Sequence, residues 1–574
     1  MDRLVRTVEP HKNHPSIVVW SLANESMTGD GFAEMRRWLD ERDPSRAVIY
    51  ERDPSYRDSD FYSLMYPSLE LLDQIGRREE PRGGRLSMHG MVFNESGGVA
   101  PLPEGVTEAD EERRRALPFL LVEYAHAQGN GPGSLQDYWR IIRAHDRLCG
   151  AFVWEWIDHG LNAVTDDGVP FVMHGDDVDY EPRGGRFGLH GLVFSDRTPT
   201  PGLVELAKAH ETIGITVGDD TVRIVNDRHS ADTADLAFRW SVEADGEVAA
   251  SGLLSVPALA PGESAEVSIP DAAATALASV ARDTVLTVEA ALAADEIWAP
   301  AGHVVAWGQR VVAARGAEKP HAAPDTAPRA VSLRGDGFSR SDAGIVVGPA
   351  AFDTATGHLV RLGDLELDGP VLDLYRAPTE NDHGQGETNN IAGVWRKTML
   401  HRLLHRADAV DAGDGRLRVS GRTAPRTHPH GVAWTMTWTA DGDGLVLEVD
   451  ADFVGPWTDT PYMQRDILVP RLGLLFGLPG AAERVTWFGR GPGETYVDSF
   501  EASRVGRHGR SIDDLQVPYP VPQENGNHVQ TGWLEVAGAG IPSLRVEGRP
   551  EFDFTARRWT SHDLDRAAKP HDLV

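Results

Sequence analysis

The sequence predicts a multidomain fold in which a partial (β/α)8 TIM barrel is followed by two β-sandwich domains. The chain has 574 residues, a length typical of about three or four domains. Residues 1–210 alternate short apolar runs with helical stretches, which is the pattern of parallel βα units. The later residues instead carry short alternating runs separated by Gly, Asp and Pro, which favours antiparallel sheets.

Apolar runs in residues 1–210 predict buried strands that are apolar on both faces, as in parallel sheets. These runs are Ile17–Leu22, Ala47–Tyr50, Phe61–Met65, Phe119–Val122 and Ala151–Trp156. Between them the apolar spacing predicts helices, as at Ser134–His145. A complete barrel needs eight such units over about 250 residues. Residues 1–210 are therefore predicted to form only the C-terminal part of a barrel.

The rest of the chain is predicted to be β-rich. Residues 211–315 predict an immunoglobulin-like sandwich, with strands at Thr221–Val225, Ala237–Val242, Glu266–Ile269, Thr284–Ala290 and His303–Trp307. Residues 316–329 are rich in Ala, Pro and His without an apolar period, and predict a linker. Residues 330–574 predict a large β-sandwich, with strands at Trp434–Trp438, Leu445–Val449, Val485–Phe488 and Leu544–Val546.

Charge and cysteine content narrow the classes of function. Lys and Arg total 56 against 87 Asp and Glu, a net charge of -31 that repels nucleic acids and anionic membranes. The single cysteine, Cys149, excludes an internal disulfide and favours a reducing compartment. No apolar stretch approaches the ~20 residues of a membrane span, and Met1–Lys12 is too polar for a secretory signal. We therefore expect a cytoplasmic protein that acts on a small molecule, without nucleic-acid or membrane partners.

Two glutamates follow apolar runs of the predicted barrel. Asn24 and Glu25 come after the first run, and Glu123 comes directly after the fourth. The C-terminal ends of barrel strands form the mouth where active sites lie. Two carboxylates there suit glycosidic cleavage, with one as nucleophile and the other as acid and then base. From spacing alone, each glutamate could equally be a structural carboxylate at a strand end.

Seven motifs, around the two glutamates and farther along the chain, follow one another in this order: Asn13–Ser26, Leu121–Asn130, Phe152–Asp158, Gly191–Pro199, Arg376–Asp382, Gly489–Tyr496 and Pro522–Gly526. In sequence and in order they resemble the motifs of glycoside hydrolase family 2, in particular of its large bacterial-type β-galactosidases. The resemblance implies that Glu25 is the acid/base and Glu123 the nucleophile of a retaining enzyme that releases terminal β-D-galactose from β-galactosides such as lactose. It also implies that Asn24, Tyr66, His126 and Trp154 contact the sugar.

The resemblance also implies metal ions. In the family, the counterpart of Glu25 binds Mg²⁺ together with residues that would lie outside this chain. A nearby Na⁺ site uses a phenylalanine carbonyl, which matches Phe187, and an asparagine, in whose place this sequence has His190. Imidazole is a poor ligand for a hard alkali ion, so a sodium site at Phe187 and His190 is expected to be impaired.

Compared with the family, the chain is expected to lack the N-terminal domains, the first barrel strands and the extreme C-terminus. On this expectation, the chain alone is poorly folded and nearly inactive. The final domain is predicted to be of the β-galactosidase small-chain type, with a galactose-mutarotase-like sandwich, and the full-length parent to be a homo-oligomer. The alternatives are another family 2 glycosidase, such as a β-glucuronidase or a β-mannosidase, or an inactive piece that serves binding or assembly.

Overall fold

The structure is a computed structural model that describes residues 1–26, 29–51, 53, 55–81, 105–179, 184–279, 283–313, 338–341, 344–383, 390–458 and 466–573. The chain forms two compact units: residues 1–162 with 172–210, and residues 163–171 with 211–574. Within the described ranges, no helix is both long enough and apolar enough to cross a membrane. The predicted linker at residues 316–329 lies outside the described residues.

The first unit combines helices with short strands. Its helices are α1 (Asp2–His11), α2 (Asp30–Arg42), α3 (Leu69–Arg77), α4 (Glu108–Ala116), α5 (Leu135–Ala144) and α6 (Pro201–Ala209). Its strands are β1 (Val19–Ser21), β2 (Ala47–Ile49), β3 (Tyr62–Met65), β4 (Phe119–Tyr124) and β5 (Leu148–Val153). Next in the chain, β6 (Leu161–Val164) and β7 (Pro170–Met173) form a two-stranded sheet, whose residues 163–171 are grouped with the second unit. The 3-10 turns at Gly175–Asp177 and Gly185–Gly188 belong to the first unit.

The five strands β1 to β5 pair in parallel, as predicted. β1 pairs with β2, and β3, β4 and β5 form a second sheet in chain order. Ser63 at β3 donates to the Glu51 carboxylate just beyond β2 at 2.6 Å, which links the two sheets. Helices α3, α5 and α6 pack on the second sheet around a core that includes Leu72, Leu121 and Ile142. The C-terminal ends of β3, β4 and β5 therefore lie at one edge.

The prediction that every strand is buried on both faces is wrong for β5. This strand is the edge of its sheet, and Phe152 is 62% exposed while Cys149 is also exposed. The strand also lies earlier than predicted, ending at Val153. Residues after Trp154 instead pair with another segment, through Leu192 N–H to Glu155 O at 3.0 Å and Val193 N–H to Trp156 O at 2.9 Å.

Residues 213–313 form a β-sandwich in the second unit. Its strands are β8 (Ile213–Val217), β9 (Thr221–Asn226), β10 (Leu236–Ala244), β11 (Glu247–Leu253), β12 (Ser264–Ser268), β13 (Thr284–Leu292) and β14 (Val304–Ala313). One sheet has the order β11-β10-β13-β14 and the other β12-β9-β8, with Ile224, Trp240 and Val288 in the core between them. The sequence did not predict helix α7 (Asp271–Ser279), which packs Ala273 into that core.

The remaining residues are mostly sheet, as predicted. Strands are β15 (Phe338–Ser341), β16 (Gly344–Val347), β17 (Ala350–Phe352), β18 (Leu359–Leu362), β19 (Leu365–Glu366), β20 (Asp368–Asp373), β21 (Leu403–Gly413), β22 (Arg416–Pro425), β23 (Gly431–Asp441), β24 (Gly444–Val454), β25 (Gly473–Gly477), β26 (Ala482–Gly491), β27 (Arg504–Ser511), β28 (Asn527–Gly538) and β29 (Ile541–Thr555). Helices are α8 (Glu380–His383), α9 (Ile391–Lys397) and α10 (Ser561–Arg566), with 3-10 turns at Asp513–Leu515 and Pro570–Asp572. The larger sheets run β15-β16-β17-β18-β19, β21-β22-β23-β24 and β27-β26-β28-β29. The galactose-mutarotase-like fold and the predicted domain boundaries stay predictions.

His528 makes the stability of the second unit depend on pH. The side chain is 1% exposed and lies between Trp487 and Phe554, with ring centroids at 4.6 and 4.9 Å. Burial lowers the pKa of His528 from 6.5 to about 4. The unfolded chain therefore binds a proton that the folded chain excludes, so stability is complete above pH ~6.5 and falls by up to about 3 kcal/mol as pH drops to ~4.

Replacing His528 with Phe is expected to remove the part of this pH dependence that comes from protonation of His528, while an aromatic ring stays in the core. Urea unfolding of the second unit, followed at several values between pH ~7 and ~4.5, measures the slope of the unfolding free energy against pH. The exposed His229→Phe variant is the matched control and keeps the original slope. An unchanged slope in His528→Phe would contradict the assignment.

Candidate active site at the ends of the parallel strands

Glu123 and Tyr66 meet where β3 and β4 end. The Tyr66 hydroxyl donates to Glu123 Oε1 at 2.6 Å, and the Tyr66 backbone N–H donates to the Glu123 carbonyl at 3.3 Å. Both side chains are half-buried. The sequence predicted that Glu123 directly follows the strand, but the structure places it inside β4. Glu123 still pairs with Met65, and the next residue, Tyr124, pairs with Val153. The strand itself therefore positions the carboxylate.

Glu25 and Asn24 lie beyond the end of β1, and both are exposed. Burial raises the pKa of Tyr66 well above its ordinary value, and so do the hydrogen bond to Glu123 and the negative charges of Glu123, Glu25 and Glu155. Tyr66 is therefore a phenol at neutral pH and always the donor in its bond to Glu123. Because the negative charge of Glu25 contributes to the raised pKa of Tyr66, Glu25 lies within electrostatic range of the tyrosine that holds Glu123.

Three residues at these strand ends have a left-handed backbone. Glu25 and Tyr66 have φ of 51°, and Ala125, just after β4, has φ of 52°. For a residue with a Cβ this conformation costs on the order of 1 kcal/mol or more, and such residues cluster at functional sites. The positions that carry the predicted acid/base and the tyrosine partner of the nucleophile share this strain.

His126 and Trp154 lie beside this pair, and both carry a buried polar atom without a hydrogen-bond partner among the described residues. Those atoms are His126 Nε2 and Trp154 Nε1. The backbone fixes Trp154, whose N–H donates to Tyr124 O at 3.1 Å and whose carbonyl accepts from the N–H of Ala127, the residue after His126, at 2.8 Å. An unsatisfied buried polar atom costs about 1–3 kcal/mol. A ligand that supplies hydroxyl groups would satisfy these atoms.

Burial, and to a lesser degree the neighbouring His190, lower the pKa of His126 to about 4. The imidazole is therefore neutral at pH 7. Its ring centroid lies 6.1 Å from that of Tyr66 and 5.1 Å from that of His190. A neutral imidazole both donates and accepts hydrogen bonds, which suits contact with sugar hydroxyls better than with a charged group.

Replacing Tyr66 with Phe is expected to lower kcat/KM about 10- to 100-fold, because a hydrogen bond to a charged group contributes about 1.5–3 kcal/mol. The loss should fall on kcat, since the bond orients the carboxylate rather than the substrate. Steady-state kinetics on a nitrophenyl glycoside measure it. The control is Tyr138→Phe, which removes a hydroxyl that donates to the Pro67 carbonyl at 2.7 Å. Equal kinetics for the two variants would contradict the role of Tyr66.

The predicted sodium ligands are near one another but do not form an oxygen site. The Phe187 and His190 ring centroids lie 5.2 Å apart, and His190 Nδ1 lies 3.1 Å from Glu155 Oε1. A hard alkali ion prefers oxygen ligands, so the imidazole does not fit sodium. For magnesium, Glu25 belongs to no group of three close His, Cys, Asp or Glu ligands among the described residues. Binding of Mg²⁺ at Glu25 stays a prediction, and no chemical step is assigned to either ion.

The sequence did not single out Glu155 or His159 as site residues. The structure places both against His190, with His159 Nε2 at 2.9 Å from Glu155 Oε1. The only available signal was a glutamate four residues before a histidine, directly after a strand. That spacing predicts shared ligands on a helix, but these residues lie in a non-helical segment.

Three family models match the chain. They are "Glycosyl hydrolases family 2, TIM barrel domain" over residues 1–215, "Beta-galactosidase, domain 4" over residues 222–313, and "Beta galactosidase small chain" over residues 349–574. With Glu123 inside one parallel strand and Glu25 beyond the end of another, these matches define the class of protein. The chain belongs to glycoside hydrolase family 2, with residues of its TIM barrel domain followed by β-sandwich domains.

Curated relatives are named β-galactosidases. The protein from Arthrobacter sp. (strain B7) is 36% identical over 604 residues, covering 100% of this chain and 55% of the relative. The Kluyveromyces lactis protein is 29% identical over 599 residues, covering 100% of this chain and 51% of the relative. The chain thus spans about half the length of these relatives. The solved structure of a β-D-mannosidase from Dictyoglomus thermophilum matches 54% of this chain and 40% of the mannosidase chain at 11% identity. Its TM-score is only 0.25.

Proposed function

We propose that this chain carries the catalytic carboxylates of a retaining β-galactosidase. The observation that carries the proposal is the Glu123 carboxylate held by the Tyr66 hydroxyl at 2.6 Å where parallel strands end. The same tyrosine lies within electrostatic range of Glu25. A carboxylate oriented by a neutral donor suits nucleophilic attack, and a second carboxyl group nearby suits proton transfer. The names of the curated relatives support galactose as the sugar.

In the first step, a Glu123 oxygen attacks the anomeric carbon and forms a covalent galactosyl ester. The bond between the anomeric carbon and the leaving oxygen breaks, and its electron pair stays on that oxygen. Protonated Glu25 donates its proton to the leaving oxygen. In the second step, Glu25 removes a proton from water, whose oxygen attacks the anomeric carbon and releases Glu123. Two inversions retain the β configuration of galactose.

Asn24, His126 and Trp154 are proposed to bind the sugar. Asn24 adjoins the acid/base in the chain, where an amide can hydrogen-bond a hydroxyl near the reacting carbon. The unpartnered His126 Nε2 and Trp154 Nε1 atoms would take further hydroxyl groups. Lactose as a substrate, a cytoplasmic location and a homo-oligomeric parent also belong to the proposal, and they rest on the family resemblance alone.

A comparison of synthetic glycosides tests the proposal. Dinitrophenyl β-galactoside, β-glucuronide and β-mannoside are incubated with a high concentration of the chain, since we expect slow turnover. The galactoside should react fastest, and proton NMR should show β-galactose as the first product. Preference for the glucuronide or the mannoside would support another family 2 specificity. Binding of galactose without turnover of any glycoside would support the non-catalytic alternative, and either result would overturn the proposal.

A further inference from the structure

Three potential metal ligands converge beside the candidate active site. Glu155 Oε1 lies 2.9 Å from His159 Nε2 and 3.1 Å from His190 Nδ1. One ligand atom from each of these residues lies within 4.8 Å of the other two, and among the described residues this is the only such group of three. The donors are therefore two imidazole nitrogens and one carboxylate oxygen.

These short contacts are not hydrogen bonds. Glu155 Oε1 and His190 Nδ1 are buried from solvent, yet neither has a hydrogen-bond partner with acceptable geometry among the described residues. His190 is 2% exposed, so bulk water does not reach its ring. Two buried polar atoms that are close but misaligned each carry a desolvation cost of about 1–3 kcal/mol. A cation between them would satisfy both lone pairs.

The backbone holds the ligand-bearing segments together before any ion binds. Glu155 N–H donates to the His190 carbonyl at 3.3 Å, and His159 N–H donates to the Gly188 carbonyl at 2.8 Å. Leu192 N–H donates to the Glu155 carbonyl at 3.0 Å. Ligands fixed in this way lose little conformational freedom on binding, which favours a preformed site.

We propose that Glu155, His159 and His190 form a binding site for a divalent transition-metal ion of the zinc type. Imidazole and carboxylate are the ligands of such ions, whereas Na⁺ and Mg²⁺ favour oxygen alone. In a tetrahedral site with bonds of about 2.0–2.2 Å, ligand atoms lie about 3.3–3.6 Å apart, slightly farther than in the two contacts seen here. The side chain of His159 is 57% exposed, which leaves room for water as the fourth ligand.

The site adjoins the side chains proposed to bind sugar. The His190 ring stacks on Trp154 with centroids 5.7 Å apart, and lies 5.1 Å from the His126 ring. An ion on His190 Nδ1 would fix the orientation of this ring against both neighbours. Metal binding itself depends only on the three ligands, so its test is independent of glycosidase activity.

Cobalt(II) is the probe, because tetrahedral Co²⁺ absorbs visible light when bound to nitrogen and oxygen ligands. The full chain is freed of metal with a chelator and titrated with Co²⁺, and then with Zn²⁺ as competitor. One Co²⁺ per chain should bind with a tetrahedral spectrum that Zn²⁺ abolishes. His159→Ala, which removes the exposed ligand, should weaken Co²⁺ binding by more than about 100-fold, beyond the usual effect of losing an outer-shell partner. His229→Ala, which removes an exposed histidine elsewhere, should leave binding unchanged.

Glu155→Gln and His190→Asn provide a second pair of variants, and circular dichroism checks that each is folded. Folded variants should lose the tetrahedral spectrum. If the native chain gives no tetrahedral Co²⁺ spectrum, or if His159→Ala binds as tightly as the native chain, the site is only a carboxylate–histidine contact and the proposal is overturned. Glycoside turnover is recorded separately, so failure of metal binding is distinguishable from failure of the proposed function.

Discussion

Replacing Glu123 with Gln is expected to abolish the catalysed turnover of an activated β-galactoside, because removal of a covalent nucleophile costs a factor of about 10⁴ or more in an active enzyme. The amide keeps the shape of the side chain and an oxygen that can accept from Tyr66, so the strand and its packing should be preserved. What is lost is the negatively charged oxygen that forms the galactosyl ester. The rate should fall to that of the uncatalysed reaction.

Release of dinitrophenolate at a high concentration of the chain measures this effect. The matched control is Glu34→Gln, which neutralises an exposed carboxylate on α2 of the same unit. In a Glu123→Gly variant, added azide should restore product formation and give the α-galactosyl azide, since a small anion then attacks in place of the carboxylate. Near-native turnover by Glu123→Gln would assign the nucleophile to another residue.

Replacing Glu25 with Ala is expected to produce a loss that depends on the leaving group. Proton donation contributes typically about 10²–10⁴-fold, so lactose and alkyl galactosides should lose that much in kcat/KM. Dinitrophenolate leaves without a proton, so formation of the galactosyl ester from a dinitrophenyl galactoside should be nearly unchanged. Hydrolysis of the ester should then be slow, because no base activates water.

A burst of dinitrophenolate followed by slow steady turnover is the expected time course for Glu25→Ala. Azide should accelerate the slow phase and yield the β-galactosyl azide, because the anion needs no base. Glu34→Ala is the control and should show neither the burst nor the azide effect. An equal loss on good and poor leaving groups would indicate that Glu25 positions another group rather than transferring the proton.

Much of the first unit could be predicted because apolar runs mark buried strands. All five predicted parallel strands are present, since each carries core residues such as Leu121 and Leu64. The predicted positions of the strand ends were less accurate. Glu123 lies inside β4 because backbone pairing continues past the last apolar residue, and a polar side chain does not stop a ladder whose partners are in register.

The cluster of Glu155, His159 and His190 could not be predicted, because it depends on pairing between distant segments. No local period joins residue 155 to residue 190, and they come together through backbone contacts between the two segments, such as that of Glu155 N–H with the His190 carbonyl. The exposed face of β5 was missed for a similar reason. Its apolar residues predicted burial, whereas its position at the edge of the sheet leaves Phe152 in solvent.

The most direct test of the central claim is to trap the covalent intermediate. The chain is incubated with 2-deoxy-2-fluoro-β-galactosyl fluoride. Its fluorine at C2 slows both formation and hydrolysis of the ester, whereas its good leaving group at C1 speeds formation alone, so the ester accumulates. The labelled protein is then digested and the modified residue located by mass spectrometry. We predict one fluorogalactosyl group per chain, attached to Glu123 and absent in Glu123→Gln. A label on any other residue, or no label in a chain that does hydrolyse β-galactosides, would contradict the account.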